Sequence, residues 1–223
     1  MANKEVSKNT LIHDTICLFV ITLIAGVLLG GVYQITKKPI EKQNEKIKQE
    51  AYAAVYDGAE FEEDSDITSK VEKFQKDLTA SKVKTAAGEV LSDVEIAEVL
   101  KAKVDGNDAG YVVTCSGKGY GGNIKIALGI NSEGVIKGIQ IMDCTSETPG
   151  LGQNSSDENW NKQYLDMNAT QDINVVKDGS GSKENATVNA ISGATITTKA
   201  VTNAVNASLE LFHTVLLGGD GNE

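Results

Sequence analysis

Arginine is absent from this chain of 223 residues, and all 21 of its basic residues are lysine. Acidic residues number 31, so the formal net charge is −10. Such an acidic chain lacks the basic face that nucleic acid phosphates require, and we therefore exclude nucleic acid as a partner. Without guanidinium groups, any phosphate must be held by lysine, backbone amides, hydroxyl groups or a covalent bond.

Metal-ligating side chains are also scarce. The sequence has three cysteines and two histidines, with no CxxC pair and no Cys/His cluster at metal-ligand spacing. This pattern argues against a zinc or iron–sulfur site, so we predict no metal. Cys17 lies in the apolar N-terminal segment, and we interpret Cys115 and Cys144 as structural cysteines, with a disulfide between them as the alternative.

Charge is missing altogether from residues 15–36, a run of 22 residues. As a helix this run would span about 33 Å, against a hydrocarbon core of about 30 Å. We predict a transmembrane helix over 15–36 after a tail of residues 1–14. A cleaved signal peptide is the alternative, but no small-x-small cleavage site follows. Lysines are more numerous after the run than before it, which by the positive-inside rule favours a cytoplasmic C-terminal domain.

The remaining sequence predicts an α+β fold. We expect a linking helix over 37–57 with Pro39 in its first turn, an acidic loop over 58–69, and short helix and coil over 70–90. Four strand-like runs follow, and a turn joins the last two into an antiparallel hairpin or meander; they are 94–103, 109–116, 123–131 and 135–142. A short helix over 157–165 and a final helix over 194–217 complete one antiparallel-sheet domain with packed helices, over 58–217, before a tail of 218–223.

Ser192, Gly193, Ala194 and Thr195 lead directly into the predicted final helix. A helix start offers free backbone N–H groups and the positive end of the macrodipole, both of which favour an anion. The alternative is a serine or threonine cap that satisfies its own helix. Two glycine-rich segments, at 119–122 and 147–152, have the composition of tight turns. They could bring backbone close to a ligand, or they could simply be turns that end the neighbouring strands.

The sequence at 192–195 resembles the Ser/Thr-Gly-Ala-Thr flavinylation motif of the FMN-binding domain family. The segments at 119–122 and 147–152, with Trp160 eight residues later, match the same family in order and spacing. With the N-terminal apolar helix, the pattern is most similar to the G subunits of Rnf ion-translocating ferredoxin:NAD oxidoreductases. It is next most similar to the paralogous C subunits of sodium-pumping NADH:quinone reductases. The resemblance covers roughly residues 10–215.

The resemblance implies one FMN per chain, joined to Thr195 by a phosphodiester bond that a separate flavin transferase forms with FAD as donor. It also implies a set of cofactor-binding residues, namely Thr195, Ser192, Gly193, Ala194, Thr148, Leu151, Gly152, Glu147, Gly121 and Gly122. Glu147 has an alternative role, holding its loop by accepting backbone N–H bonds. We interpret Trp160 as a core or interface aromatic residue, and we predict no catalytic residue in this chain.

The resemblance further implies a membrane-anchored redox subunit that does not catalyse a reaction without the rest of its complex. Its complex would couple ferredoxin oxidation and NAD⁺ reduction to Na⁺ or H⁺ translocation. The implied partners are other membrane and redox subunits, including a second subunit with covalent FMN. The resemblance places the large domain outside the cytoplasm on a single-pass anchor in the cell (inner) membrane, against the lysine count. A subunit of a sodium-pumping NADH:quinone reductase, a membrane-anchored flavin sensor and an assembly protein remain the alternatives.

Overall fold

The structure, a computed structural model, describes residues 8–85, 88–91, 93–168 and 171–217, with side chains from residue 11. The chain forms two compact units, Met1–Lys46 and Ile47–Glu223. The first unit contains most of helix α1 (Lys8–Val55), whose stretch from Leu11 is long and apolar enough to cross a membrane and has no buried residue in its apolar part. Pro39 lies inside α1 and not in the first turn of a separate helix.

The second unit is built on a five-stranded antiparallel sheet in the order β1-β2-β3-β4-β5. Its strands are β1 (Glu60–Glu62), β2 (Val94–Val104), β3 (Asn107–Lys118), β4 (Asn123–Asn131) and β5 (Ile136–Asp143). The predicted α+β class and its four main strands are confirmed. β1 is too short to give an alternating pattern, and the sequence therefore predicted a loop there.

Two helices cover one face of the sheet: α2 (Ser65–Thr79) and α4 (Thr195–Leu211). Alternate residues of β4, including Ile124, Ile126 and Leu128, point into this core and are fully buried. α4 approaches β3 so closely that a Cβ on Gly117 would lie 2.1 Å from the Ala200 carbonyl oxygen. The prediction of an acidic loop up to residue 69 is wrong, because Asp64 caps α2 by accepting hydrogen bonds from the backbone N–H groups of Asp66 and Ile67.

Residues 47–56 pack on the opposite face of the sheet. Ala51, Tyr52, Val55 and Tyr56 are between 3% and 8% exposed and form a second core with residues of β2, β3 and β4. The Tyr52 hydroxyl donates to a Glu98 oxygen at 2.7 Å and lies 2.7 Å from the Thr114 hydroxyl. This segment, predicted to be part of a linking helix, is therefore packed into the second unit.

Smaller elements connect β5 to α4: a 3-10 helix (Gly152–Ser156), α3 (Glu158–Asn161), and a parallel pair of strands, β6 (Asn174–Val176) and β7 (Thr187–Asn189). The predicted short helix over 157–165 is reduced to four residues, and β6 and β7 were not predicted. α4 is followed by a π-helical turn, Phe212–Leu216, within the predicted final helix. Cys115 and Cys144 are both free thiols, so the disulfide alternative is wrong; burial raises the pKa of the Cys115 thiol to about 12.

Candidate functional site

Glu147 joins the three glycine-containing segments that the sequence singles out. Its side chain is only 3% exposed. Oε1 accepts a hydrogen bond from the Gly121 backbone N–H at 2.7 Å, and Oε2 accepts one from the Thr197 hydroxyl at 2.5 Å. Gly121 belongs to the β3–β4 connection, and Thr197 lies in the first turn of α4. A single carboxylate thus bonds the segments at 119–122 and 192–197 to its own segment at 145–152.

Glycines allow this close approach. A Cβ on Gly121 would lie 2.0 Å from the Ser146 carbonyl oxygen, and one on Gly152 would lie 2.2 Å from Glu147 Oε2. Gly193 has φ +74°, and a Cβ on it would lie 2.9 Å from Cδ2 of the Leu151 side chain. Any larger residue at Gly121 or Gly152 would therefore push the segments apart.

Replacing Gly121 with alanine is expected to lower the free energy of unfolding by about 1–3 kcal/mol, because the new methyl group meets a backbone oxygen that cannot move alone. Gly26→Ala is the matched control, since a Cβ there meets nothing within 4 Å and Gly26 does not have a positive φ, so the unfolding of the second unit should not change. Chemical denaturation of both variants measures the difference. Equal stability of the two variants would show that the segments are not closely packed.

The segment that carries Glu147 is held by its own hydrogen bonds. Asp143 accepts from the Thr145 backbone N–H at 2.9 Å and from the Thr145 hydroxyl at 2.8 Å, and these bonds hold the pKa of Asp143 below its usual value. The Gln153 side chain donates to the carbonyl oxygens of Thr145 and Glu147 at 3.2 and 3.0 Å. The backbone N–H of Leu151 donates to the Thr148 carbonyl at 3.1 Å. These bonds make the loop a defined turn, as its composition predicted.

Thr195 is the first residue of α4, and the position before it is Ala194, which forms no side-chain cap. The alternative of a serine or threonine cap is therefore wrong. The Thr198 hydroxyl instead accepts from the Ile191 backbone N–H at 3.0 Å and donates to the Ala194 carbonyl at 3.0 Å, which fixes the turn from the buried side. Thr195 itself is half-buried, and Ser192 and Gly193 are exposed. Within the described part of the chain no side chain caps the start of α4, and Ser192, Gly193 and part of Thr195 are accessible there.

Exposed apolar side chains lie on all three segments. Tyr120 is 75% exposed, Leu151 is 40% exposed and Ile196 is 55% exposed. Among the described residues from 47 onward, only Val90 and Leu217 are other large apolar residues with comparable exposure. The sequence indicated Leu151 as a site residue but not Tyr120 or Ile196. These two lie on segments that are distant in sequence and are brought together only by folding.

The remaining predicted residues occupy different positions. Thr148 is exposed and next to Glu147, and Gly122 packs against the Ser146 side chain. Trp160 is partly buried; its Nε1 donates to the Asn189 carbonyl at 2.9 Å and its ring packs edge-on against Tyr164, as expected for a core or interface aromatic residue. Burial raises the pKa of Tyr164 above its usual value. Thr197 was missed, because nothing in the sequence distinguishes it from the other threonines of α4.

The three segments lie within one family domain. Residues 119–210 match the FMN-binding domain family, and this range contains all three segments. The chain is 34% identical over 198 residues to the G subunit of the Na(+)-translocating ferredoxin:NAD(+) oxidoreductase complex of Acetobacterium woodii, covering 87% of this chain and 88% of that protein. It is 29% identical over 216 residues to the G subunit of the proton-translocating ferredoxin:NAD(+) oxidoreductase complex of Clostridium ljungdahlii, covering 97% and 98%.

Among solved structures, NqrC of Shewanella oneidensis superposes with a TM-score of 0.46 and 26% identity, covering 55% of this chain and 61% of that one. The chain belongs to the G subunits of ion-translocating ferredoxin:NAD(+) oxidoreductase complexes.

Proposed function

We propose that this chain is a membrane-anchored electron-transfer subunit of an ion-translocating ferredoxin:NAD oxidoreductase complex, with one FMN joined covalently through its phosphate to Thr195. The observation that carries the proposal is the start of α4. A half-buried threonine hydroxyl stands there without a side-chain cap, at the point where three segments of the FMN-binding domain meet.

The helix start suits a phosphodiester. The first backbone N–H groups of α4 lack intrahelical acceptors, and the macrodipole adds about half a positive charge. A phosphate esterified to Thr195 carries one negative charge in place of two, which suits a chain without arginine. Lys199 lies one helical turn after Thr195 and is exposed, so its ammonium group is a candidate partner for that charge.

The surrounding residues suit a flat aromatic ring system. Leu151, Ile196 and Tyr120 offer apolar surface, while Ser192, Gly193 and Thr148 offer small or polar surface on the same segments. Gly152 is buried and lets its loop pack against Glu147 and Thr197. Gly121 and Gly122 contribute by holding the β3–β4 connection against the loop that carries Leu151. Bound FMN would supply exchange of electrons between one-electron and two-electron carriers.

The three segments include no histidine, cysteine or lysine beside Glu147. The one hydroxyl–carboxylate pair in these segments, Thr197 with Glu147, is 1% and 3% exposed. A substrate cannot reach this pair, so the site binds and orients a cofactor and does not transform a substrate by acid–base chemistry. Partners of the complete function are the other membrane and redox subunits of the complex, including a second subunit with covalent FMN. A flavin transferase would form the Thr195 ester.

Coexpression with and without a flavin transferase tests the proposal. Denatured protein in a gel should fluoresce under ultraviolet light only when the transferase is present, because a covalent flavin survives denaturation. Absence of fluorescence in material made with an active transferase and FAD would overturn the proposed cofactor attachment.

We also propose that α1 anchors the chain in the cell (inner) membrane by a single pass, with the second unit outside the cytoplasm. A covalent cofactor suits that side, where free FMN is scarce and a dissociating flavin would be lost by mass action. C-terminal fusions to alkaline phosphatase and to a fluorescent protein that matures only in the cytoplasm should give phosphatase activity and no fluorescence. Cytoplasmic fluorescence alone would reverse the orientation and support the lysine count.

A further inference from the structure

Glu147 is a buried acid that forms no ion pair with any residue the structure describes. It is 3% exposed, and its two oxygens accept hydrogen bonds from neutral donors, the Gly121 N–H and the Thr197 hydroxyl. None of the ion pairs among the described residues includes it, and the lysines nearest to these segments in sequence, Lys118 and Lys199, are exposed. The carboxylate therefore brings a negative charge into a protein region that no lysine neutralises by direct contact.

Its hydrogen bonds alone do not require that charge. A glutamine at this position would accept from the Gly121 N–H with its carbonyl oxygen and donate to the Thr197 hydroxyl with its amide. A neutral amide would also avoid the desolvation cost of burying a carboxylate. An acid that replaces an adequate neutral side chain points to a role for the charge itself.

We propose that Glu147 supplies a fixed negative charge that lowers the reduction potential of a flavin attached at Thr195. This inference rests on the proposed function. Thr197, which binds the carboxylate, lies in the same helical turn as Thr195, and Gly152 of the same loop is in direct contact with both Glu147 and Thr197. A negative charge at this place opposes the addition of an electron nearby, and a buried charge is screened less by salt than a surface charge. Glu147 is thus a positioning residue that also sets the local potential.

Two variants of the full chain, flavinylated and purified in detergent, separate charge from geometry. Glu147→Gln removes the charge and keeps both hydrogen bonds, whereas Thr197→Val keeps the charge and removes one donor. Spectroelectrochemical titration should show a higher flavin reduction potential for Glu147→Gln. The equilibrium constant for one-electron reduction should rise about threefold to tenfold, where tenfold equals about 59 mV. Thr197→Val should not raise the potential in the same way, because the acidic side chain of Glu147 is unchanged.

An unchanged or lowered potential in Glu147→Gln would overturn the inference, and so would equal rises in both variants, since these would indicate a purely structural role. Should Glu147→Gln fail to fold, the neutral variant Glu147→Met takes its place with the same expected rise, and an unchanged or lowered potential in it contradicts the proposal. Failure of the proposed function is distinct, because the wild-type protein would then carry no covalent flavin to titrate.

Discussion

Replacing Thr195 with valine is expected to abolish covalent flavin completely, while leaving the fold intact. Valine has nearly the shape of threonine but no hydroxyl group to be esterified. Thr195 is half-buried, and the cap position before α4 is Ala194, so the change removes no cap from the helix. Ultraviolet fluorescence of the denatured band, after coexpression with the transferase, measures the loss, and circular dichroism checks the fold.

Thr68→Val is the matched control. Thr68 is an exposed threonine in the first turn of α2, where its hydroxyl donates to the Asp64 carbonyl at 3.0 Å. Full fluorescence is expected in this control. A fluorescent Thr195→Val band would assign the attachment to another residue and would contradict the proposed site.

Removing residues 47–56 is expected to prevent the second unit from folding. A variant that begins at Ile47 retains the segment, and one that begins at Asp57 lacks it. The buried side chains of Tyr52, Val55 and Tyr56 stabilise the sheet from its second face. Burial of each large apolar side chain contributes about 1.5–3 kcal/mol, so losing three removes roughly as much as the whole stability of a typical domain, about 5–15 kcal/mol.

Urea denaturation followed by circular dichroism compares the two variants. The variant from Ile47 should unfold in one cooperative transition, and the variant from Asp57 should show none. A similar transition midpoint in both would mean that residues 47–56 are only a linker, as the sequence suggests.

Local pattern predicted the main strands because β2, β3, β4 and β5 are long enough for alternation to be visible. It failed for elements of only a few residues and for features that depend on contacts between distant parts of the chain. β6 and β7 have three residues each, and they pair with each other across the ten residues that separate them. The start of α2 was predicted as loop because its cap, Asp64, is one of several acidic residues close together and gives no distinct signal of its own, whereas helix was expected only from residue 70.

Most of the candidate site was predicted from the family resemblance and not from local sequence pattern. Thr195 and the two glycine-rich segments were identified through their resemblance to a family, and the structure brings all three together. Glu147 was indicated with two possible roles, and its hydrogen bond from Gly121 agrees with the loop-holding one. Thr197 acquires its role only from a partner 50 residues earlier in the chain, which no local pattern reports.

The mass of the intact protein tests the central claim most directly. Protein purified from its own membrane and analysed by mass spectrometry after denaturation should exceed the polypeptide mass by one FMN less one water, and the excess should map to the peptide that contains Thr195. A mass equal to that of the polypeptide alone would contradict the account.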